Sequence, residues 1–160
     1  MTRRFIKLVV MLMVAFALFG VGWVAGSLGF GSTVNRASLS DLERQFADLM
    51  KGSVLVGRFI GWGREDRQLL ERYEISSAEK IGPDAWRFNA RIKYGSVDVQ
   101  LPLVLPLHWA GDTPMITMTD VTIPALGTFS ARVFFYGDGY AGTWQHGAVG
   151  GWLFGKIEKT

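Results

Sequence analysis

Residues 86–107 read WRFNARIKYGSVDVQLPLVLPL, and this stretch decides the fold. Apolar and polar side chains alternate over residues 86–94, and a period of two predicts a strand with one buried and one solvated face. The same period resumes over residues 97–107, after the two-residue hairpin signal Gly95-Ser96. The stretch therefore predicts an antiparallel hairpin. The face that we expect to be buried carries Trp86, Phe88, Ala90, Ile92 and Tyr94.

The same alternation extends in both directions from this hairpin and predicts an all-β domain. About eight strands are expected, near residues 53–61, 69–79, 85–94, 97–108, 115–123, 127–136, 139–145 and 149–158. Their short connections predict antiparallel neighbours, which suits a small up-and-down barrel, with a sandwich as the alternative. Pro102 and Pro106 cannot donate to a ladder, so we expect the fourth strand to be bulged or to lie at an open seam.

A short amphipathic helix is predicted before the first strand, over residues 38–50. Ser38 is a candidate N-cap, Asp41 and Glu43 follow in the first turn, and Gly52 stands just past the end. The apolar stripe of this helix is expected to dock on the barrel and to close one end of it. Its members are Leu39, Leu42, Phe46, Leu49 and Met50.

The N-terminal segment predicts a membrane anchor. After Arg3, Arg4 and Lys7, a run of 23 residues begins at Leu8, ends at Phe30 and contains no charge. A spanning helix needs roughly 20 apolar residues, and preceding basic residues keep the N-terminus in the cytoplasm. We therefore expect a single-pass protein of the inner (cytoplasmic) membrane with an extracytoplasmic domain. The alternative is a secreted or periplasmic protein, whose N-terminal segment is a signal peptide that is removed by cleavage near residues 25–27.

The resulting domain plan has three parts. A signal anchor occupies residues 1–31, a linker with the amphipathic helix occupies residues 32–52, and the β-barrel occupies residues 53–160. The net charge of +3 comes from the three basic residues before the apolar run, since the rest of the chain holds 14 basic and 14 acidic residues. A nucleic-acid binder normally presents a basic face, so no nucleic-acid partner is expected.

The sequence offers little catalytic chemistry. Absence of cysteine excludes disulfides, thiolate nucleophiles and cysteine-ligated metals. The two histidines, His108 and His146, would need a carboxylate such as Asp98 or Asp120 to form a metal site or a hydrolase centre. No nucleophile elbow or phosphate loop is present. We expect no catalytic residue, metal or cofactor, and a hydrolase that uses His146 or His108 with an aspartate stays an alternative.

Candidate ligand-binding residues come from the aromatic and glycine-rich segment at residues 140–147. Glycine beside aromatic residues lets a strand curl, which is first of all a property of a barrel wall. The same segment also suits a pocket with apolar walls and a few polar groups. The candidates are Tyr140, Trp144, Gln145 and His146, together with Trp86 of the central hairpin.

Several motifs resemble a group of uncharacterised bacterial exported or membrane-anchored proteins. They are WAGDTP at residues 109–114, IPALGTF at 123–129, YAGTWQHG at 140–147 and GGxxFG at 150–155. The resemblance covers residues 46–157 and implies no known activity, cofactor or catalytic residue. More loosely, the Gly-Thr-Trp triplet and the strand count resemble lipocalin- and avidin-type barrels. Gly57-Arg58-Phe59 stands where the first lipocalin strand usually has Gly-x-Trp.

The leading functional hypothesis is a membrane-anchored, extracytoplasmic barrel that binds a small apolar or amphiphilic ligand or an envelope partner. It follows from the predicted anchor, from the aromatic inner face and from the lack of a catalytic set. The alternative is a purely structural envelope assembly module that uses the outer face of the barrel or the amphipathic helix.

Overall fold

The computed structural model describes residues 3–27, 30–31, 34–123 and 126–159, and within these ranges it describes side chains from Val10 onward except those of Ser27 and Tyr94. The chain divides into two compact units, Met1–Ser32 and Thr33–Thr160. The first unit contains helix α1, Arg3–Ser27. Among the described helices, none combines the length and the apolar character needed to cross a membrane. Residues 28 and 29 of the predicted anchor lie outside the described residues.

The second unit is a closed barrel that follows a short helix. A 3₁₀ turn (Arg36–Ser38) and helix α2 (Asp41–Met50) come first. Over residues 34–123 and 126–159, each strand pairs antiparallel with the next, and the eighth pairs with the first. This topology confirms the up-and-down barrel and excludes the sandwich. The strands are β1 (Ser53–Gly61), β2 (Gln68–Lys80), β3 (Ala85–Tyr94), β4 (Val97–Ala110), β5 (Thr113–Ile123), β6 (Gly127–Tyr136), β7 (Gly139–His146) and β8 (Val149–Lys159).

The predicted strand limits differ most at the β4–β5 hairpin. Both strands continue toward each other, so that Trp109 pairs with Pro114 and Ala110 with Thr113. The turn shortens to two residues because Gly111 adopts a φ of +66°, a left-handed conformation that glycine takes at little cost. Residues 124 and 125 of the predicted β5–β6 turn lie outside the described residues.

The central hairpin has the predicted faces. Trp86, Phe88, Ala90 and Ile92 on β3 are all buried inside the barrel, while the side chain of Tyr94 lies outside the described residues. On the outer surface, Arg91 pairs with Asp98 on β4 through two hydrogen bonds of 2.6 and 2.7 Å. The alternation of the sequence is therefore the inside–outside alternation of the barrel wall.

Helix α2 begins later than predicted, because Ser40 rather than Ser38 is its N-cap. Ser40 Oγ accepts the backbone N–H of Glu43 at 3.3 Å, and Glu43 Oε2 accepts the backbone N–H of Ser40 at 2.9 Å. This reciprocal capping box satisfies two otherwise unpaired donors. Ser38 has Asp41 three residues ahead, and Ser38 itself lies in the preceding 3₁₀ turn.

The apolar stripe of α2 closes one end of the barrel, as predicted. Phe46 is buried there and makes edge or tilted ring contacts with four aromatic side chains of the barrel. Met50 is buried beside it, whereas Leu42 stays exposed. The rings around Phe46 are those of Trp86 at 5.4 Å, Phe88 at 6.2 Å, Trp109 at 6.2 Å and Phe135 at 5.6 Å, measured between centroids.

Polar contacts also hold α2 on this end. The ammonium group of Lys159 on β8 donates to the carbonyl oxygens of Asp48, Leu49 and Lys51, at 2.7, 2.7 and 3.0 Å. A cation at the C-terminus of a helix satisfies unpaired carbonyls and opposes the negative end of the helix dipole. These hydrogen bonds attach the C-terminal end of α2 to β8, the last strand of the barrel.

The bulge or open seam predicted for β4 is not found in the described residues, but the β4–β5 ladder is short. It comprises the pairs of residues 107–110 with residues 113–116 and ends next to Pro106. The β3–β4 ladder on the other side of β4 runs without a register shift. A bulge lies in β5 rather than in β4, between Met118 and Val121, where Asp120 has a φ of +50°. The barrel is closed, with its weakest pairing along β4 and β5.

Candidate functional site

The interior of the barrel contains an apolar cavity of about 190 Å³. Met50 of α2 belongs to its lining, and all eight strands contribute to its wall. An apolar cavity of roughly 150 Å³ in another protein stays dry and admits benzene, so this one is large enough for a small apolar molecule. Wall residues include Leu55, Ile75, Phe88, Leu105, Met118, Ala131, Tyr140 and Leu153.

A second pocket, of about 340 Å³, lies at the end of the barrel opposite α2. Tyr73, Phe129, Trp144 and Leu153 line both this mouth pocket and the apolar cavity, so the two spaces adjoin. Together they form one route from the mouth toward the α2 end. The other residues of the mouth pocket are Phe59, Glu71, His146 and Val149.

A buried carboxyl group stands where the two spaces meet. Glu71 points into the barrel from β2 and is 3 % exposed. Tyr73 donates a 2.8 Å hydrogen bond to its Oε2, and Tyr140 donates a 2.9 Å hydrogen bond to its Oε1. Among the ion pairs of the described residues, none includes Glu71. The partners of this carboxyl group are therefore two tyrosine hydroxyl groups and not a cation.

The surroundings shift the acidity of the buried groups. Burial raises the pKa of Glu71, and the hydrogen bonds from Tyr73 and Tyr140 oppose that rise without cancelling it. Burial also raises the pKa of Tyr140, and the neighbouring Glu71 raises it further. Tyr140 is therefore a hydrogen-bond donor throughout the physiological pH range.

Two glycines create the space that Tyr140 occupies. Gly57 on β1 and Gly155 on β8 face each other in register. A Cβ atom at Gly57 would lie 2.2 Å from Tyr140 Oη, and one at Gly155 would lie 2.7 Å from Tyr140 Cε1. Any larger residue would displace the ring, so these glycines are needed for the hydrogen bond to Glu71.

The structure brings three of the five sequence candidates to one face of β7. Tyr140 and Trp144 line the apolar cavity, and His146 lies at the mouth with its ring 4.4 Å from that of Phe129. Gln145 is exposed on the outer face, and its amide donates to the carbonyl of Gly147 at 3.2 Å. Gln145 is separated from the others because neighbouring residues of a strand point in opposite directions.

The fifth candidate, Trp86, lies at the other end of the barrel. It is fully buried against Phe46 of α2 and lines neither the apolar cavity nor the mouth pocket. Its role in the structure is to anchor the closing helix.

Sequence reasoning missed Glu71 and Tyr73, the polar members of the site. Their signal is the alternation Leu69, Glu71, Tyr73, Ile75, which places an acid in the same register as the inward apolar residues. An acidic residue in an apolar register is costly unless it is hydrogen-bonded, which makes such a position a candidate for function.

The histidines do not converge. His108 lies near the α2 end of the barrel, with Nδ1 3.9 Å from Asp84 Oδ1, which is longer than a hydrogen bond. His146 lies at the mouth, at the other end. Asp98 is paired with Arg91 on the outer surface, and the described residues contain no group of three or more acidic or histidine side chains placed to hold a metal. This geometry gives the hydrolase alternative no support.

Similarity to known proteins adds nothing to this geometry. No family model, curated protein or solved structure matches the chain. The resemblance to exported bacterial proteins, and the looser one to lipocalin- and avidin-type barrels, therefore stays a prediction. The features of the molecule that bear on its function are the cavity, the mouth pocket and the buried carboxyl.

Proposed function

We propose that this protein is a membrane-anchored, extracytoplasmic barrel that binds a small apolar or amphiphilic ligand in its interior. The observation that supports the proposal is the apolar cavity of about 190 Å³, continued by a mouth pocket of about 340 Å³. Interiors of small barrels are usually filled by side chains or hold one small ligand, and space of this kind favours the second case.

The energetics favour a ligand with a short apolar chain. Each buried methylene group contributes about 0.8 kcal/mol, so a chain of about eight carbons contributes on the order of 6 kcal/mol before the costs of association. The route from mouth to α2 is lined mainly by aliphatic and aromatic side chains, which provide such burial. A micromolar dissociation constant needs a net of about 8 kcal/mol, so we expect weaker binding of simple alkyl compounds, with dissociation constants of about 0.1–1 mM.

Native mass spectrometry of the full chain in a non-ionic detergent tests ligand binding, with 1-decanol as the probe. We expect a one-to-one adduct. Ala131→Phe, which places a ring in the cavity wall, is expected to remove it. Ala110→Phe, at an exposed site at the end of β4, is the matched control and should retain it. If the wild type forms no adduct, or if both variants retain it equally, ligand binding in the cavity is ruled out.

The membrane part of the proposal rests on the sequence, in which residues 8–30 carry no charge and follow three basic residues. Because the chain has no cysteine, Glu158→Cys creates a single reactive thiol on the barrel. A membrane-impermeant maleimide should label it in cells with a permeabilised outer membrane. Labelling only after lysis would contradict the orientation. The mass of the labelled protein distinguishes a retained anchor from a cleaved signal peptide.

A second candidate function, envelope assembly, is favoured by exposed apolar side chains on the outer face. Leu70, Phe154 and Phe134 are 69, 43 and 44 % exposed and lie in one register row across β2, β1, β8, β7 and β6, in which the β1 position is Arg58 and the β7 position is Ala141. Exposed apolar patches often mark binding surfaces. The stripe of α2 is buried at Leu39, Phe46 and Met50, which leaves the outer face as the docking surface. Under this function, a photo-crosslinker at Phe154 should capture an envelope protein in cells, whereas one at Arg91 should not.

A further inference from the structure

We infer that the ligand is an amphiphile with a positively charged amine head group, which Glu71 binds at the inner edge of the mouth pocket while the apolar chain enters the cavity. This inference rests on the proposed ligand-binding function and specifies the chemical class of the ligand. It is carried by the position of Glu71, by the hydrogen bonds that Glu71 leaves unused and by the aromatic walls around it.

Glu71 lines the mouth pocket, whereas its two partners Tyr73 and Tyr140 line the apolar cavity. The carboxyl therefore stands at the junction of the two spaces, within reach of a molecule that occupies both. A ligand with its chain among Leu153, Trp144 and the residues beyond them would present its head group to Glu71.

The carboxyl group has capacity for more partners. An ionised carboxylate offers about four acceptor sites. Tyr73 and Tyr140 use one site on each oxygen, and no described cation pairs with the group. Burial of an unpaired charge is costly, whereas a buried charge with an opposite partner is stabilised by strong attraction in a medium of low polarity. An ammonium group supplies both the opposite charge and up to three N–H donors.

The walls of the mouth pocket suit a cation as well. Phe59 and Trp144 meet edge to face there with ring centroids 5.6 Å apart, and Phe129 and Tyr73 complete the aromatic lining. Aromatic faces attract cations by about 0.5–2 kcal/mol, and the attraction increases when water is excluded. A ligand carboxylate would instead be repelled by Glu71, and a ligand hydroxyl would gain a hydrogen bond without charge neutralisation.

Basic side chains of β2 and β3 near the site pair on the outer surface and not with Glu71. Arg72 and Glu74, on either side of Tyr73, point outward, where Glu74 accepts from Arg72 and from Lys93 at 3.1 Å each. The basic residues of this region are thus committed to the outer surface. An external cation is the partner that the interior geometry can accommodate.

Three probes of equal chain length test the inference, namely decylamine, 1-decanol and decanoate. Each probe is titrated at neutral pH against the full chain in a non-ionic detergent, and the number of bound probe molecules is measured by native mass spectrometry. Decylamine should bind the wild type at least tenfold more tightly than 1-decanol, and decanoate should bind least. Glu71→Gln should remove the advantage of decylamine and retain the binding of 1-decanol.

Glu74→Gln is the matched control, because it makes the same change of charge on the same strand but on the outer surface. It should retain the preference for decylamine. Equal binding of decylamine and 1-decanol by the wild type, or equal effects of the two variants, would overturn the inference and leave the proposed function intact. If none of the three probes binds, the proposed function fails, and the inference fails with it. Circular dichroism of both variants verifies that the barrel has formed.

Discussion

The hydroxyl group of Tyr140 on β7 donates a 2.9 Å hydrogen bond to Oε1 of Glu71 on β2, although β8 and β1 separate these strands. The bond crosses the inside of the barrel above the paired glycines Gly57 and Gly155. It connects a polar group at the mouth to the wall of the apolar cavity. Its removal should affect both stability and ligand selectivity.

Tyr140→Phe removes one of the two donors to Glu71 and leaves the ring in place. Loss of a partner to a buried polar group costs about 1–3 kcal/mol, and we expect that loss in the free energy of unfolding. Urea denaturation followed by fluorescence measures it. Tyr136→Phe, at an exposed site on β6, is the control and should have almost no effect. Equal stability of the two variants would contradict the importance of the bond.

Gly57→Ala should destabilise the barrel because the new Cβ atom would lie 2.2 Å from Tyr140 Oη and 2.4 Å from the carbonyl oxygen of Phe154. Overpacking of this kind typically costs about 1–3 kcal/mol. Gly61→Ala on the same strand is the control, since the nearest atom to its Cβ would be 3.8 Å away. Thermal unfolding should separate the two variants. A similar loss in both would mean that alanine is disfavoured on β1 for another reason.

Lys159→Met tests the attachment of α2. The substitution keeps most of the aliphatic chain and removes the ammonium donor to the carbonyls of Asp48, Leu49 and Lys51. We expect a loss of about 1–2 kcal/mol and faster amide exchange in α2 than in the strands. Lys156→Met, at an exposed position on the same strand, should leave exchange in α2 unchanged. Unchanged exchange in both variants would count against the attachment.

The pH dependence of stability provides a fourth prediction, on Glu71. Its pKa is raised by burial, so the folded protein holds the proton more tightly than the unfolded chain does. The resulting stabilisation is complete below the unfolded pKa and is lost as pH rises through the folded pKa. The stability of Glu71→Gln relative to the wild type should therefore increase as pH rises above the ordinary glutamate pKa of about 4.3, and it should level off once pH exceeds the folded pKa.

Denaturant unfolding at a series of pH values measures this difference. The other titratable groups of the site, Tyr73, Tyr140 and His146, are present in both proteins. The contributions of carboxyls with a lowered pKa, such as Glu79 beside Arg87, cancel in the comparison. A difference that is constant with pH would show that Glu71 titrates alike in the folded and unfolded states.

The barrel could be predicted from the sequence because the patterns that specify its strands and turns are local. Alternation in each strand and glycine at each tight turn are readable over about ten residues, as in residues 86–94 and at Gly111. The sequence predicts the N-cap of α2 at Ser38, two residues before the observed Ser40, because the spacing of Ser38 and Asp41 resembles that of Ser40 and Glu43. Such close alternatives are decided by side-chain geometry that a pattern does not contain.

The candidate site was only partly predictable, because its members come together through the closure of the barrel. Tyr140 and Trp144 could be found as aromatic residues of one strand face. For Glu71, the sequence indicates only that an acidic residue lies in register with inward apolar residues. Nothing near it in the sequence indicates a hydrogen bond to Tyr140. Trp86 is equally aromatic and inward, yet the docking of Phe46 places it at the other end of the barrel.

Pairing of β1 with β8 has a consequence for how the protein is made. Ser53 meets Lys159 only after on the order of 100 residues have been synthesised, and such distant partners make folding slow. Until then β1 offers an open edge to any other extended chain, which is a hazard at the ribosome and in a crowded cytosol. For a translocation channel that accepts only unfolded polypeptide, this delay would be favourable, because the domain would still be unfolded when it reached the channel.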